Sequence, residues 1–174
     1  MTGRRPPSDQ VNVIIANRQR VRKINQPLLK KIFITLLEQL EIEKAEIGIC
    51  LVSVPEMTRL NETFLQHAGS TDVITFDYLA EGRADNSLPA ATVVAHGESR
   101  PVVHGEIYVC VDEAMVQARR FGTRWQSEVV RYIIHGILHL LGFDDSSPAA
   151  RRKMKREENR RLQEMTRRFP LSKL

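Results

Sequence analysis

Long hydrophobic runs are missing from this sequence. No apolar stretch approaches the roughly 20 residues a membrane-spanning helix needs, which argues against an integral membrane protein. The start, MTGRRPPSDQ, carries charge and prolines with no apolar segment behind them, so no secretory signal is expected and the expected location is cytosolic. Cysteine is nearly absent as well. Cys50 and Cys110 sit in the apolar runs IGICLVSV and EIYVCV, where they read as small buried hydrophobes rather than a disulfide pair. No internal repeat or low-complexity tract is present, which excludes solenoid and linker architectures.

What remains is an ordinary globular composition. Of 174 residues, 42% are hydrophobic and 27% charged, enough for one domain with a real core. The expected division is a disordered N-terminus at 1–10, a single domain at 11–168 and a C-terminal tail at 169–174. The formal net charge of +5 hides a segregation. Residues 1–31 hold 8 basic and 1 acidic residues, 32–145 hold 8 and 17, and 146–174 hold 10 and 3, so both ends are +7 and the middle is −9. Basic ends suit a polyanionic partner, because neutralising phosphates releases counterions. On charge alone, a solvated surface helix and a frayed terminus are the better reading.

The periodicities predict an α+β fold. VNVII (11–15), EIGICLVSV (46–54), TDVITFDY (71–78) and HGEIYVCV (104–111) read as strands. Leu28, Leu29, Ile32, Phe33, Leu36, Leu37 and Leu40 recur at helical spacing behind Pro27, predicting a helix to about Glu41. A second helix is expected at 55–67 behind Pro55. Residues 80–103 read as a long connection, with a hairpin leading into the last strand. Asp112 is expected to cap a helix ending at Gly122. Thr123 and Gln126 are expected to form a capping box for a helix running to Leu141 and stopping at Gly142. A last helix begins near Ser147-Pro148 and carries RRKMKREENRR.

The helix at 124–141 is apolar nearly all round, with Trp125 expected as a core anchor, yet it contains two histidines. His135 and His139 are one turn apart and share a face. Buried imidazoles need partners, and neutral imidazoles at i and i+4 are a standard zinc-ligand pair. Gly142 can take the left-handed conformation that turns the chain back, which lets Asp145 approach the same ion. Asp144 is the runner-up ligand. A bare HxxxH says little, but His, His, Gly and an acid at zero, four, seven and ten is the spacing of the metzincin proteases. Those enzymes need Glu after the first His, and Gly136 stands there, which opposes a metalloprotease. Glycine inside a helix costs about 1 kcal/mol against alanine, so something approaches it closely, either packed protein or a bulky substrate.

HGILHLLGFDD (135–145) resembles the YbeY family signature HGxLHLxGxDH, a family of bacterial single-strand-specific endoribonucleases that mature ribosomal RNA. MTRLNETF (57–64), TDVITF (71–76) and HGEIYVCVDEAMVQA (104–118) are similar to further family motifs, in the same order, so that about residues 46–145 are covered. The resemblance implies a zinc-dependent hydrolase domain holding one ion per chain. It also implies an α+β fold with a mixed sheet of about four strands, helices packed around it and the metal site on a buried helix. Action on the 3′ end of small-subunit RNA and a role in ribosome quality control are implied too. Implied partners are ribosomal RNA or the small subunit, a small-subunit ribosomal protein and an assembly GTPase, with no membrane.

Two departures accompany the resemblance. The third ligand histidine falls on Asp145, and Phe64-Leu65 stand where the family has Tyr-Arg, the arginine being implicated in activity. The catalytic residues stay open, with Asp72 and His67 as candidates; Asp72 also reads as turn chemistry or as a partner to a metal-bound histidine. The nucleophile is either a water or an RNA 2′-hydroxyl. Arg59, Arg151, Arg152 and Lys155 are candidate nucleic-acid contacts. The alternative to an enzyme is a non-catalytic ribosome-assembly or RNA-binding factor with a structural metal.

Overall fold

In the computed structural model, residues 10–81 and 101–174 are described. The disorder expected at 1–10, apart from Gln10, and most of the connection expected at 80–103 lie outside the described residues. The elements run β1 (Val11–Asn17), α1 (Gln26–Gln39), β2 (Lys44–Val52) and α2 (Val54–Leu60), then a π-helical turn at Asn61–Leu65. They continue with β3 (Val73–Asp77), a short α3 (Tyr78–Glu81), β4 (Val102–Cys110), α4 (Val111–Phe121), α5 (Trp125–Leu140) and α6 (Pro148–Arg168). A 3-10 turn at Leu171–Lys173 closes the chain.

One four-stranded sheet has the order β1-β2-β4-β3. β1, β2 and β4 are parallel, and β3 pairs antiparallel with β4 at the edge, so the sheet is mixed and the class α+β, as expected. Alternation along β4 sets the layers. Val103, Ile107 and Val109 enter the main core with α1 and α5, whereas Cys110 joins Cys50, Val52, Met57 and Ile74 in a smaller cluster under α2. Both cysteines are free and buried, as the apolar runs around them predict.

Local chemistry explains the helix ends. Asn25 accepts a hydrogen bond from the Leu28 amide at 3.0 Å and Pro27 lies in the first turn, so α1 starts where its apolar face begins. Ser147 caps α6 through the Ala150 amide at 3.1 Å, again with a proline behind it. α5 is the best-buried helix. Val129, Ile134, Ile137 and Leu138 are fully enclosed, each stabilising the fold by roughly 1.5–3 kcal/mol. That anchorage fixes the imidazoles it carries.

Two local expectations are corrected. α4 begins at Val111 with Cys110 as its cap, so Asp112 lies inside the first turn, where its carboxylate accepts from the Val54 amide at 3.2 Å and ties α4 to α2. The capping box at Thr123 does not form, because α5 starts at Trp125 behind Arg124; Thr123 donates to Glu128 at 2.7 Å and Gln126 to the Ser172 carbonyl. The C-terminal tail at 169–174 packs back against the domain. Leu171 and Leu174 are buried in the core, and the Leu174 carbonyl accepts from the Asn25 amide at 2.8 Å.

Candidate metal centre

The i, i+4 spacing on α5 puts the rings of His135 and His139 side by side, with their centroids 4.6 Å apart. α5 ends as expected: Gly142 has φ +83°, a value that L side chains rarely adopt, and the chain doubles back over the last turn. The turn delivers Asp145. Its Oδ2 lies 3.8 Å from His135 Nε2 and 4.0 Å from His139 Nε2, and the two Nε2 atoms are 2.9 Å apart. Ligands arranged tetrahedrally at zinc distances would stand roughly 3.3 Å from one another. The observed spacings bracket that value, and among the described residues these three form the one cluster able to hold a metal ion.

The other ring nitrogens fix the chemistry. His135 Nδ1 faces Glu158 Oε2 at 3.2 Å, and His139 Nδ1 faces the Phe143 carbonyl at 3.0 Å. Both partners are acceptors, so both Nδ1 atoms carry the proton and both Nε2 lone pairs point at the same spot. Two lone pairs at 2.9 Å repel unless a cation, or one proton, lies between them. Burial disfavours the imidazolium of His135, but the Glu158 hydrogen bond and the charges of Glu158, Asp145 and Asp72 outweigh it and raise its pKa. Burial, then the neighbouring His135, lowers that of His139. The donor set fits a divalent ion held by two neutral imidazoles and a carboxylate, with a fourth position open.

Asp145, not Asp144, faces the imidazoles. Asp144 is exposed and turned to Ser146, accepting from its amide at 3.0 Å and from its hydroxyl, and those bonds lower its pKa. Asp72 caps the start of β3, its Oδ1 accepting from the Val73 amide at 2.9 Å and from Thr71 at 3.2 Å. It reaches His135 by charge alone, and the hydrogen-bonding role considered for it belongs to Glu158. His67 is exposed beyond the π-helical turn, with no hydrogen bond or ion pair to the three clustered residues. Arg59 is exposed at the end of α2. Arg151 donates to the Asp145 carbonyl at 3.2 Å, bracing the turn, while Arg152 and Lys155 are exposed on α6.

Glu158 is the residue that sequence reading missed. A signal was there: Met154, Glu158, Leu162 and Met165 follow helical spacing, so an acid stands on the buried stripe of an otherwise polar helix. Gly136 faces the sheet. A Cβ there would lie 2.6 Å from Ile107 Cγ2 and 3.0 Å from Thr75 Oγ1, so the glycine lets α5 lie directly on the sheet. The protease base would have to occupy space that the core fills.

A sequence model described as Endoribonuclease YbeY matches residues 9–166. The chain belongs to the YbeY family. It is 32% identical over 146 residues to the Endoribonuclease YbeY of Chlorobium luteolum, covering 84% of this chain and 93% of that one. The protein of the same name from Salinibacter ruber is 37% identical over 116 residues, covering 67% of this chain and 68% of its own. Among solved structures, the solution structure of TM1509 from Thermotoga maritima aligns with TM-score 0.56 and 25% identity, over 92% of this chain and 95% of that one. The YbeY match includes α5 and the turn to Asp145, so His135, His139 and Asp145 lie within the matched region.

Proposed function

We propose that this YbeY-family chain is a zinc-dependent, single-strand-specific endoribonuclease that matures the 3′ end of small-subunit ribosomal RNA and acts in ribosome quality control. Family membership supports the endoribonuclease class and a role in ribosomal RNA processing. The observation that carries the metal dependence is the convergence of His135 Nε2, His139 Nε2 and Asp145 Oδ2 with both Nδ1 atoms already engaged. His135, His139 and Asp145 would hold a zinc ion, which would supply charge stabilisation to a phosphoryl oxygen and a lowered pKa to a nucleophilic water. The chain's own residues set the stage: Glu158 and the Phe143 carbonyl orient the imidazoles, Arg151 braces the turn that presents Asp145, and Gly136 seats α5 on β3 and β4.

The polyanion has a surface to follow. Arg152, Lys155 and Arg156 lie on the exposed face of α6 and make no ion pair with a described residue. Arg131, Arg156, Asn159 and Arg160 line a groove of about 530 Å³ beside it. Arg59 offers a further phosphate contact from α2. The cytoplasm, ribosomal RNA in the small subunit, a small-subunit ribosomal protein and an assembly GTPase complete the proposal; no helix among the described residues is long and apolar enough to cross a membrane.

The test is cleavage of a single-stranded RNA and of its duplex by metal-free protein, zinc-reconstituted protein and His139→Ala. Cleavage of the single strand by the zinc form alone is expected. Equal cleavage by all three would refute metal dependence. RNA binding that persists without metal, with no cleavage in any form, would favour the assembly-factor reading, for which Phe64 and Leu65 in place of Tyr-Arg give a motive. Casein hydrolysis is not expected, since no base can stand at Gly136.

A further inference from the structure

Glu158 is only 8% exposed and lies between Met154 and Leu162 on the face of α6 that packs against α5. A leucine would fill that position without desolvating a charge, so packing alone does not explain the acid. Both of its oxygens are committed. Oε1 accepts from Arg131 Nη1 at 2.7 Å, and Oε2 faces the protonated Nδ1 of His135 at 3.2 Å. Arg131 is itself held from three sides: its Nη1 also donates to Asn159 Oδ1 at 2.7 Å, and its Nε lies 3.3 Å from Glu128 Oε2. Glu128 is buried at the start of α5 and is fixed in turn by the Thr123 hydroxyl. The chain Thr123, Glu128, Arg131, Glu158 and His135 therefore runs unbroken from the head of α5, across α6, to the first imidazole.

We infer that Glu158 is the positioning residue of the metal centre. Braced by Arg131, it holds the Nδ1–H of His135 and aims the Nε2 lone pair at the ion. This rests on reading His135, His139 and Asp145 as a metal centre. The two imidazoles are secured differently. His139 is held by a backbone carbonyl in the turn after its own helix, which no side-chain substitution removes, whereas His135 depends on a carboxylate from another helix. The bidding of that carboxylate is twofold: it fixes the tautomer and raises the basicity of the ligand nitrogen, effects that together are worth roughly 10–100-fold in metal affinity. It also makes the seating of α6 part of the metal site, so a helix with a free basic face is tied to the ion.

The test measures zinc affinity by competition with a chromophoric chelator for wild type, Glu158→Gln, Glu158→Leu and Arg131→Met, with circular dichroism of each metal-free protein. Glutamine keeps an acceptor and loses the charge, so Glu158→Gln is expected to bind zinc roughly 10-fold more weakly, and Glu158→Leu, which loses both, nearer 100-fold. Arg131→Met, which frees the carboxylate to turn, is expected between wild type and Glu158→Leu. A merely structural role would lower the melting temperature and leave the zinc affinity of folded protein unchanged, and that result would overturn the inference. Should Glu158→Leu fail to fold, the isosteric Glu158→Gln decides alone. A wild type that binds no zinc would remove the metal-centre reading and this inference with it, whereas wild-type binding with unchanged variants overturns the inference alone.

Discussion

Replacing Gly136 by alanine sets two effects of opposite sign against each other. Alanine favours an α-helix by about 1 kcal/mol over glycine, so on propensity alone the variant is more stable. The structure predicts the reverse. The added Cβ would stand 2.6 Å from Ile107 Cγ2 and 3.1 Å from its Cδ1, with Thr75 Oγ1 at 3.0 Å. Ile107 is fully buried and β-branched, so its Cγ2 cannot swing aside as a flexible chain end would. Overpacking of this kind costs about 1–3 kcal/mol, and contact with a stiff, enclosed methyl belongs in the upper half of that range. Subtracting the propensity gain leaves a net loss of about 1–2 kcal/mol, or a fall in Tm of roughly 2–8 °C for a domain of this size. Denaturant unfolding of the metal-free protein measures it. Ile107→Ala is itself destabilising but removes both offending carbons, so in that background Gly136→Ala should cost little, seen as a coupling of about 1–2 kcal/mol in the cycle. A Gly136→Ala protein as stable as wild type, or more so, would refute the claim that this glycine exists to seat α5 on the sheet.

Two further outcomes follow from buried titratable groups. In metal-free protein His135 keeps its proton above the unfolded value of 6.5, so its stabilisation is full below pH 6.5 and is lost as pH rises through the folded pKa. His139 resists protonation, so its contribution is present above pH 6.5 and is lost as pH falls through its lowered folded pKa. Tm against pH should therefore peak near 6.5 without zinc, and zinc affinity should rise with pH above that point as the ion displaces the His135 proton; a flat Tm from pH 5 to 8 contradicts the shared-proton arrangement. The Tyr132 hydroxyl is buried with no hydrogen-bond partner among the described residues, and burial, then the charge of Asp72, holds its pKa up. Tyr132→Phe is expected to be neutral or to gain up to about 1 kcal/mol, because it removes an unsatisfied group. A loss above about 1 kcal/mol in denaturant unfolding would instead reveal a bridging water.

The grouping of the two histidines with Asp145 was legible because its parts are local. His135, His139, Gly142 and Asp145 lie within eleven residues, and helical spacing plus one left-handed turn suffice to bring them together. The ten-residue spacing already put Asp145 ahead of Asp144, and the geometry follows it: Asp145 faces the imidazoles while Ser146 engages Asp144. Glu158 lies 23 residues from its histidine in a run dense with arginine, where an acid reads as a solvated partner for its neighbours. Only the stripe of Met154, Leu162 and Met165 sets it apart. The sheet class followed from four β-branched runs, but strand order did not, because pairing of β2 with β4 is a long-range matter. The capping errors share one cause: Thr123 and Asp112 sit one residue before and two residues after the caps actually used, and helix ends are fixed by tertiary partners such as Val54 and Glu128 as much as by local preference.

His135, His139 and Asp145 are predicted to meet at one ion. Elemental analysis of purified, zinc-reconstituted protein, wild type beside His139→Ala and Asp145→Ala, tests this most directly. About one zinc per wild-type chain, lost or much weakened in both variants, is the predicted result. Wild type without metal after reconstitution, or full zinc retained in both variants, would contradict it.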